Sequence, residues 1–214
     1  MKIRTFIMGD ILTNTYFVIP DEGDEVIVID PGMDGESVYK KLLEKGFKCR
    51  FILLTHGHFD HSMGAAQLRK MTGAQVVCHK YDVEMLSDSQ KNAANMYYGR
   101  VLSSYPACPC DIPVEDGDSI YLGDVELKVI HTPGHTNGSV LYKADKVIFS
   151  GDTIFSGSIG RTDLYGGSAE ALAASLEMIS GFDPEIKLYP GHGNSTFVRN
   201  EKALIPRFVS LLEG

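Results

Sequence analysis

Cysteine is scarce in this sequence, four in 214 residues, and too few to form a disulfide scaffold at that length. The opening Met-Lys-Ile-Arg carries positive charge but no apolar h-region follows it. A secretory signal is therefore not expected, and Cys49, Cys78, Cys108 and Cys110 are read as reduced thiols. Cys108 and Cys110 flank a single proline; that spacing is not C-x-x-C and no second pair exists, so both read as ordinary loop cysteines. No apolar run approaches the roughly 20 residues a membrane span needs. Positive charge is in deficit, with 20 Lys and Arg against 28 Asp and Glu and a net charge of −8. That is the wrong balance for displacing phosphate counterions. The expectation is a cytoplasmic protein with no membrane and no nucleic-acid partner; nothing here sets an oligomeric state. Hydrophobic residues make up 43% and charged residues 22%, and nothing reads as a linker. Residues 1–214 are therefore expected to form one globular domain.

What the sequence does have is a series of strand-length apolar runs, rich in Val and Ile and bounded by Gly, Asp or Pro. They fall at 3–8, 15–19, 26–29, 51–54, 75–78, 119–122, 125–130, 139–142, 146–149 and 186–189. Helical periodicity falls between them at 36–45, 62–71, 169–179 and 199–212, the first ending before Gly46, a suitable C-cap. In both halves hairpin strands come first and then alternate with helices, which predicts an α/β (α+β) sandwich of sheets covered by helices. Residues 81–113 lack clear periodicity and read as a long excursion with one short helix, the natural place for a substrate wall.

The chemistry is concentrated in Thr55-His56-Gly57-His58-Phe59-Asp60-His61, directly after an apolar strand. Alternate residues of an extended chain face one side, so His56 and His58 can share one metal ion. The helix start that follows turns Asp60 and His61 toward a second point nearby. Imidazole and carboxylate are ligands that a borderline cation such as zinc accepts. Three later strands each lead through a glycine-containing turn to one more candidate: His135, Asp152 and His192. Together these make seven donors, the number suited to two ions that share a carboxylate. A structural zinc module would be a closed four-ligand cage, commonly rich in cysteine; a set of His and Asp alone argues for an open, water-holding site.

His56-x-His58-x-Asp60-His61, the separate His135, Asp152 and His192 resemble the signature of the metallo-β-lactamase superfamily, in its order and across essentially the whole chain. The resemblance implies a four-layer αββα sandwich with a dinuclear site on one edge of the sheets. It implies His56, His58 and His135 on the first ion, Asp60, His61 and His192 on the second, and Asp152 bridging them, with Asp60 and Asp152 also orienting the nucleophile. Two divalent ions are implied as cofactors, zinc favoured and iron or manganese the alternatives. Asp30 reads as a turn residue, and the resemblance implies that it supports the site from behind. The full Asp60–His61 pair departs from the β-lactamases and sets antibiotic hydrolysis aside.

Thr132-Pro133-Gly134-His135-Thr136, Gly151-Asp152-Thr153 and Ile159-Gly160-Arg161-Thr162-Asp163-Leu164 look like the glyoxalase II group. This implies hydrolysis of a small-molecule thioester. Arg161 either pairs with Asp163 to hold its loop or borders the substrate as a carboxylate partner. Tyr97, Tyr98 and Tyr165 are candidates to line a pocket. After His192 the sequence given has 22 residues (214 − 192), about one helix's worth, so the C-terminal helical domain of long glyoxalase II is not expected. Arg199, Lys202 and Arg207 on that tail suit a solvated face. The alternatives are a mononuclear iron persulfide dioxygenase, using His56, His135 and Asp152, and a lactone or phosphoester hydrolase. His79 reads as a surface or packed histidine, and His131 as structural.

Overall fold

The computed structural model describes residues 1–102 and 105–213. The apolar runs pair into two six-stranded sheets. The first holds β1 (Lys2–Met8), β2 (Thr13–Ile19), β3 (Glu25–Ile29), β4 (Lys48–Leu53), β5 (Gln75–His79) and β6 (Ile112–Val114), in that spatial order. From β3 to β6 the pairing is parallel. The second holds β7 (Ser119–Leu122), β8 (Val125–His131), β9 (Val140–Ala144), β10 (Val147–Gly151), β13 (Lys187–Pro190) and β14 (Thr196–Phe197), ordered β14-β13-β10-β9-β8-β7. A small hairpin of β11 (Ile154–Phe155) and β12 (Ser158–Ile159) follows β10.

The period-two alternation of side chains makes one strand serve two cores. Phe17, Val28, Ile52 and Val76 point outward, under α1 (Gly35–Lys45) and α2 (Phe59–Thr72). Their neighbours Val18, Ile27, Leu53 and Val77 point inward, against Leu127, Val129, Tyr142 and Phe149 of the second sheet. The second sheet's outer face, with Leu141, Ile148 and Leu188, is covered by α4 (Ala169–Ser180), α5 (Val198–Lys202) and α6 (Ile205–Glu213). The result is helix, sheet, sheet, helix. Burying each such aliphatic or aromatic side chain contributes roughly 1.5–3 kcal/mol.

Two helix boundaries differ from expectation. The helix expected at 62–71 begins at Phe59, placing Asp60 and His61 in its first turn. The helix expected at 199–212 is two helices, α5 and α6. Pro206 has no N–H to donate and its ring clashes with the carbonyl four residues back, at Lys202, where α5 ends. In the 81–113 excursion a 3₁₀ turn at Val83–Ser87 precedes the short helix α3 (Ala94–Tyr98), and its end contributes edge strand β6. Residues 103–104 of that excursion lie outside the described residues. No helix among the described residues is long and apolar enough to cross a membrane.

Candidate metal centre

The carboxyl ends of the parallel strands lie on one edge, and each delivers a polar residue there: Asp30 after β3, His56 after β4, Asp152 after β10 and His192 after β13. His135 arrives on the turn that follows β8. The two sheets are stitched together at this edge. Asn14 donates its backbone N–H to the Gly191 carbonyl at 2.7 Å. Its side-chain amide donates to Pro190 and Gly193 carbonyls at 3.0 and 2.9 Å. Val140 N–H meets the Thr55 carbonyl at 2.9 Å. Residues from opposite ends of the chain thereby meet within hydrogen-bonding distance.

All seven predicted donors converge. The donor atoms of His56, His58 and His135 lie within 4.8 Å of one another, as do those of Asp60, His61 and His192, and those of His56, His61 and Asp152. Asp152 sits between the first two groups: its carboxylate is 3.3 Å from His61 Nε2, 3.5 Å from His192 Nε2 and 3.7 Å from His135 Nε2. His58 Nδ1 and His135 Nε2 are 2.9 Å apart, and His192 Nε2 is 3.2 Å from Asp60 Oδ2. Two ligands on a tetrahedral ion with bonds of about 2.0 Å sit roughly 3.3 Å apart, so the spacing suits a shared cation.

Satisfaction of hydrogen bonds tests the same fit. Among the described residues, His56 Nε2, His58 Nε2, Asp152 Oδ1 and the Tyr105 hydroxyl are buried without a hydrogen-bond partner; for His56 and Asp152, inside the donor cluster, this is a costly arrangement unless something else binds them, whereas His58 turns Nδ1 toward His135. Two other ring nitrogens are engaged from behind. His135 Nδ1 donates to the Arg161 carbonyl at 2.8 Å, and His61 Nδ1 to Asp30 Oδ2 at 2.9 Å. These bonds select the tautomers that leave Nε2 facing inward.

Electrostatics divide the cluster. Burial, reinforced by neighbouring histidines, holds His56 well below the usual histidine range and His58 down to about 3, so both present neutral lone pairs. Burial also works against a proton on His61 and His192. Asp152, Asp60 and, for His61, Asp30 outweigh it: His61 is raised well above its usual range and His192 to about 9. Asp60 and Asp152, though buried, are held below the usual carboxylate range chiefly by His61, with His192 beside it. The field at this point favours positive charge, as a cation site requires.

Asp30 is buried with φ of +50°, a left-handed turn conformation uncommon outside glycine. Its carboxylate also accepts from Thr55 N–H at 2.8 Å and Thr55 Oγ1 at 2.7 Å. It is both the expected turn residue and a partner of His61. Arg161 is exposed and its guanidinium is spanned by Asp163, at 2.6 and 2.7 Å; what touches the cluster is its carbonyl, not its side chain. Tyr97 stands 5.0 Å, ring to ring, from Phe59 inside the motif, and Tyr98 6.1 Å. Tyr165 donates to Glu84. His79 is buried and stacks on His131 at 4.1 Å, apart from the seven donors. The four cysteines are free thiols. Arg199 pairs with Glu185 on the surface.

Several contributors have no sequence counterpart in the motif. Thr13 lies 3.4 Å from Asp60 Oδ2. Thr13, Asn14 and Thr15 are polar yet head a strand buried along its whole length; a polar triplet opening such a strand is the signal that would have found them. Asp82, in the excursion, offers no such signal.

A family model described as the metallo-beta-lactamase superfamily matches residues 8–192, a span that contains all seven donors. The chain belongs to this superfamily. The metallo-beta-lactamase fold expected from the motifs is the one observed. Among curated superfamily relatives, a protein of Bacillus subtilis (strain 168) named probable metallo-hydrolase YqgX is 36% identical over 205 residues, 94% of this chain and 95% of that protein. The hydroxyacylglutathione hydrolase GloC of Haemophilus influenzae is 29% identical over 88% of this chain and 90% of its own. Among solved structures, the BLEG-1 B3 metallo-beta-lactamase superposes with a TM-score of 0.89 at 33% identity, covering 97% of this chain and 99% of that one. TTHA1623, solved in a di-iron-bound form, superposes with a TM-score of 0.80 at 33% identity, covering 92% and 96%. The site is thus that of a metal-dependent hydrolase superfamily, with His and Asp groups able to hold ions.

Proposed function

We propose that the chain is a dinuclear metallohydrolase of thioesters, of the S-2-hydroxyacylglutathione type. One observation carries this: the donors fall into two groups of three with the Asp152 carboxylate between them, and His56 Nε2 and Asp152 Oδ1 are buried there without a hydrogen-bond partner among the described residues. His56, His58 and His135 would hold one ion, Asp60, His61 and His192 the other, and Asp152 both. When bound, such ions supply a nucleophilic hydroxide near neutral pH and polarise the carbonyl under attack. The chain's own contribution is orientation. Asp30 and the Arg161 carbonyl fix the tautomers of His61 and His135, and Asp60 and Asp152 place negative charge where it orients an attacking water. Tyr97 and Tyr98, packed against Phe59 of the motif, are the candidates to line the substrate pocket. Zinc is the favoured ion; a neighbour in a di-iron form makes iron the first alternative. The reading is of a single domain, working in the cytoplasm on a small molecule.

The thioester is supported by the resemblance of the 132–136, 151–153 and 159–164 segments and by the name of the Haemophilus relative. Two other readings each have an observation behind them. The neighbour named a B3 metallo-beta-lactamase returns β-lactam opening, which the Asp60–His61 pair alone does not exclude. The two-histidine, one-carboxylate set expected of a single iron centre, His56, His135 and Asp152, is brought together, with His135 grouped with His56 and its Nε2 3.7 Å from the Asp152 carboxylate, which suits a single iron and oxygen chemistry.

The test is turnover of S-D-lactoylglutathione by zinc-loaded protein. Removing partners behind a ligand typically costs about 10–100-fold, so Asp152→Ala, which removes a ligand, is expected to cost more than that. Zinc content should fall below two per chain. Turnover of a penicillin or cephalosporin in its place would favour the second reading, and persulfide-dependent oxygen uptake by a one-iron protein the third. A variant keeping two ions and full activity would sink the ligand assignment.

A further inference from the structure

Asp82 stands at the head of the 3₁₀ turn, is fully buried, and has no cationic partner among the described residues. Its acceptors are divided between two segments of the metal centre. Oδ2 accepts from Gly57 N–H at 2.8 Å and from Thr136 Oγ1 at 2.7 Å, and Oδ1 accepts from Gly138 N–H at 2.7 Å. Gly57 is the residue between His56 and His58; Thr136 is the residue after His135. One carboxylate therefore clamps together the two segments that present the three-histidine group, whose His58 and His135 nitrogens lie 2.9 Å apart. Its own backbone is fixed, donating N–H to the His79 carbonyl at 2.9 Å and accepting from Met85 N–H at 3.0 Å.

Packing alone does not account for a carboxylate here. An apolar side chain of similar volume would avoid the cost of burying it, but would leave the Gly57 and Gly138 N–H groups buried and unpaired. Thr136 is held in turn by Ser139, whose hydroxyl lies 2.8 Å from its own. Asp30 engages His61 of the other group directly, and reaches His56 only through Thr55, whose hydroxyl lies 3.1 Å from His56 Nδ1. No bond joins Asp82 to Asp60, His61 or His192 among the described residues.

We propose that Asp82 is the positioning residue of the three-histidine group: it sets the separation of the His56–His58 and His135 segments, and so that group's affinity for a divalent ion. The proposal rests on the reading of those histidines as one ion's ligands. The experiment is titration of the chain with Zn²⁺ against a chromophoric chelator, with Co²⁺ spectra and thermal unfolding of each variant alongside. Asp82→Asn keeps the shape and removes one acceptor; it should weaken one of two sites by about 10–100-fold and leave the other as in the wild type. Asp30→Asn, which touches His61 directly and His56 only through Thr55, should weaken the opposite site the more. If Asp82→Asn does not fold, Thr136→Val carries the test, since it removes one of three bonds and leaves both backbone donors paired; a smaller loss at the same site is expected. A folded Asp82→Asn variant that binds both ions as the wild type does, or that weakens both equally, overturns the proposal. His58→Ala identifies the site concerned. If His58→Ala kept two ions, the ligand reading itself would fail, an outcome separate from any result at Asp82.

Discussion

At the scale of single residues, the centre tolerates almost no added volume. A Cβ at Gly191 would sit 2.1 Å from Asp152 Oδ1 and 2.6 Å from His61 Cε1, distances that force a ligand to move. Gly191→Ala is therefore expected to cut zinc affinity at least as much as the loss of a supporting hydrogen bond, about 10–100-fold, while the far-ultraviolet dichroism stays native. Wild-type affinity in that variant would show that the ligands have more freedom than the distances imply. His79 makes a different prediction. Burial, with the stacked His131 and nearby Lys80 adding to it, lowers His79 from 6.5 to about 4. The unfolded chain takes up a proton there as pH falls below 6.5, and the folded chain does not until about 4. Stability from this residue is thus full above 6.5 and declines as pH falls toward 4. In urea melts across that window, His79→Gln should show a shallower fall than the wild type; parallel curves would refute the assignment.

Elements act on the site through their mutual packing. Helices α1 and α2 approach backbone to backbone: a Cβ at Gly64 would lie 2.8 Å from Gly35 N and 2.9 Å from the Gly32 carbonyl, which accepts the Gly64 N–H at 2.8 Å. Gly64→Ala must push these helices apart, and overpacking of this kind costs about 1–3 kcal/mol. Because α2 carries Asp60 and His61 in its first turn, the same variant should weaken zinc binding as well as lower the melting temperature. Unchanged metal affinity with lowered stability would separate the helix packing from the site. The position of that first turn also shows why a helix start is hard to read here. Its buried face is filled by Phe59, Asp60, His61 and Ser62, so ligands occupy the places where periodic hydrophobics would have announced a helix. At the other end of the chain the 199–212 periodicity is genuine, but Pro206 divides it, a local covalent fact that outweighs an amphipathic pattern.

At the scale of the molecule, each sheet supplies part of every donor group: Asp60, His61, His56 and His58 come with the first, His135, Asp152 and His192 with the second. Ions held by these groups would therefore cross-link the halves and stabilise the native state by mass action. At a free concentration 100 times the dissociation constant, one ion adds about 2.7 kcal/mol, and at this size each kcal/mol moves the midpoint by about 2–4 °C. Calorimetry should show a midpoint several degrees lower after chelation, restored by zinc; an unchanged midpoint would mean that the native state is not coupled to metal.

The resemblance to the superfamily implied the four-layer architecture; ten of the fourteen strands, the main helices and the seven candidate donors were legible in the sequence itself. They are written locally, as period-two and period-three-to-four patterns and as a histidine cluster placed directly after a strand. Tertiary structure alone decided the partners. Thr13 and Asn14 reach Asp60 and Pro190, Thr55 and Asp30 meet behind His61, and Asp82 ties Gly57 to Thr136. Thr55 and Asp82 have a bland local context, indistinguishable from a turn or cap residue until the chain closes. Hydrogen bonds between distant segments depend on where two sheets meet, and no local periodicity records that distance. The division of Arg161, with its side chain committed to Asp163 and its carbonyl to His135, was decided in the same way.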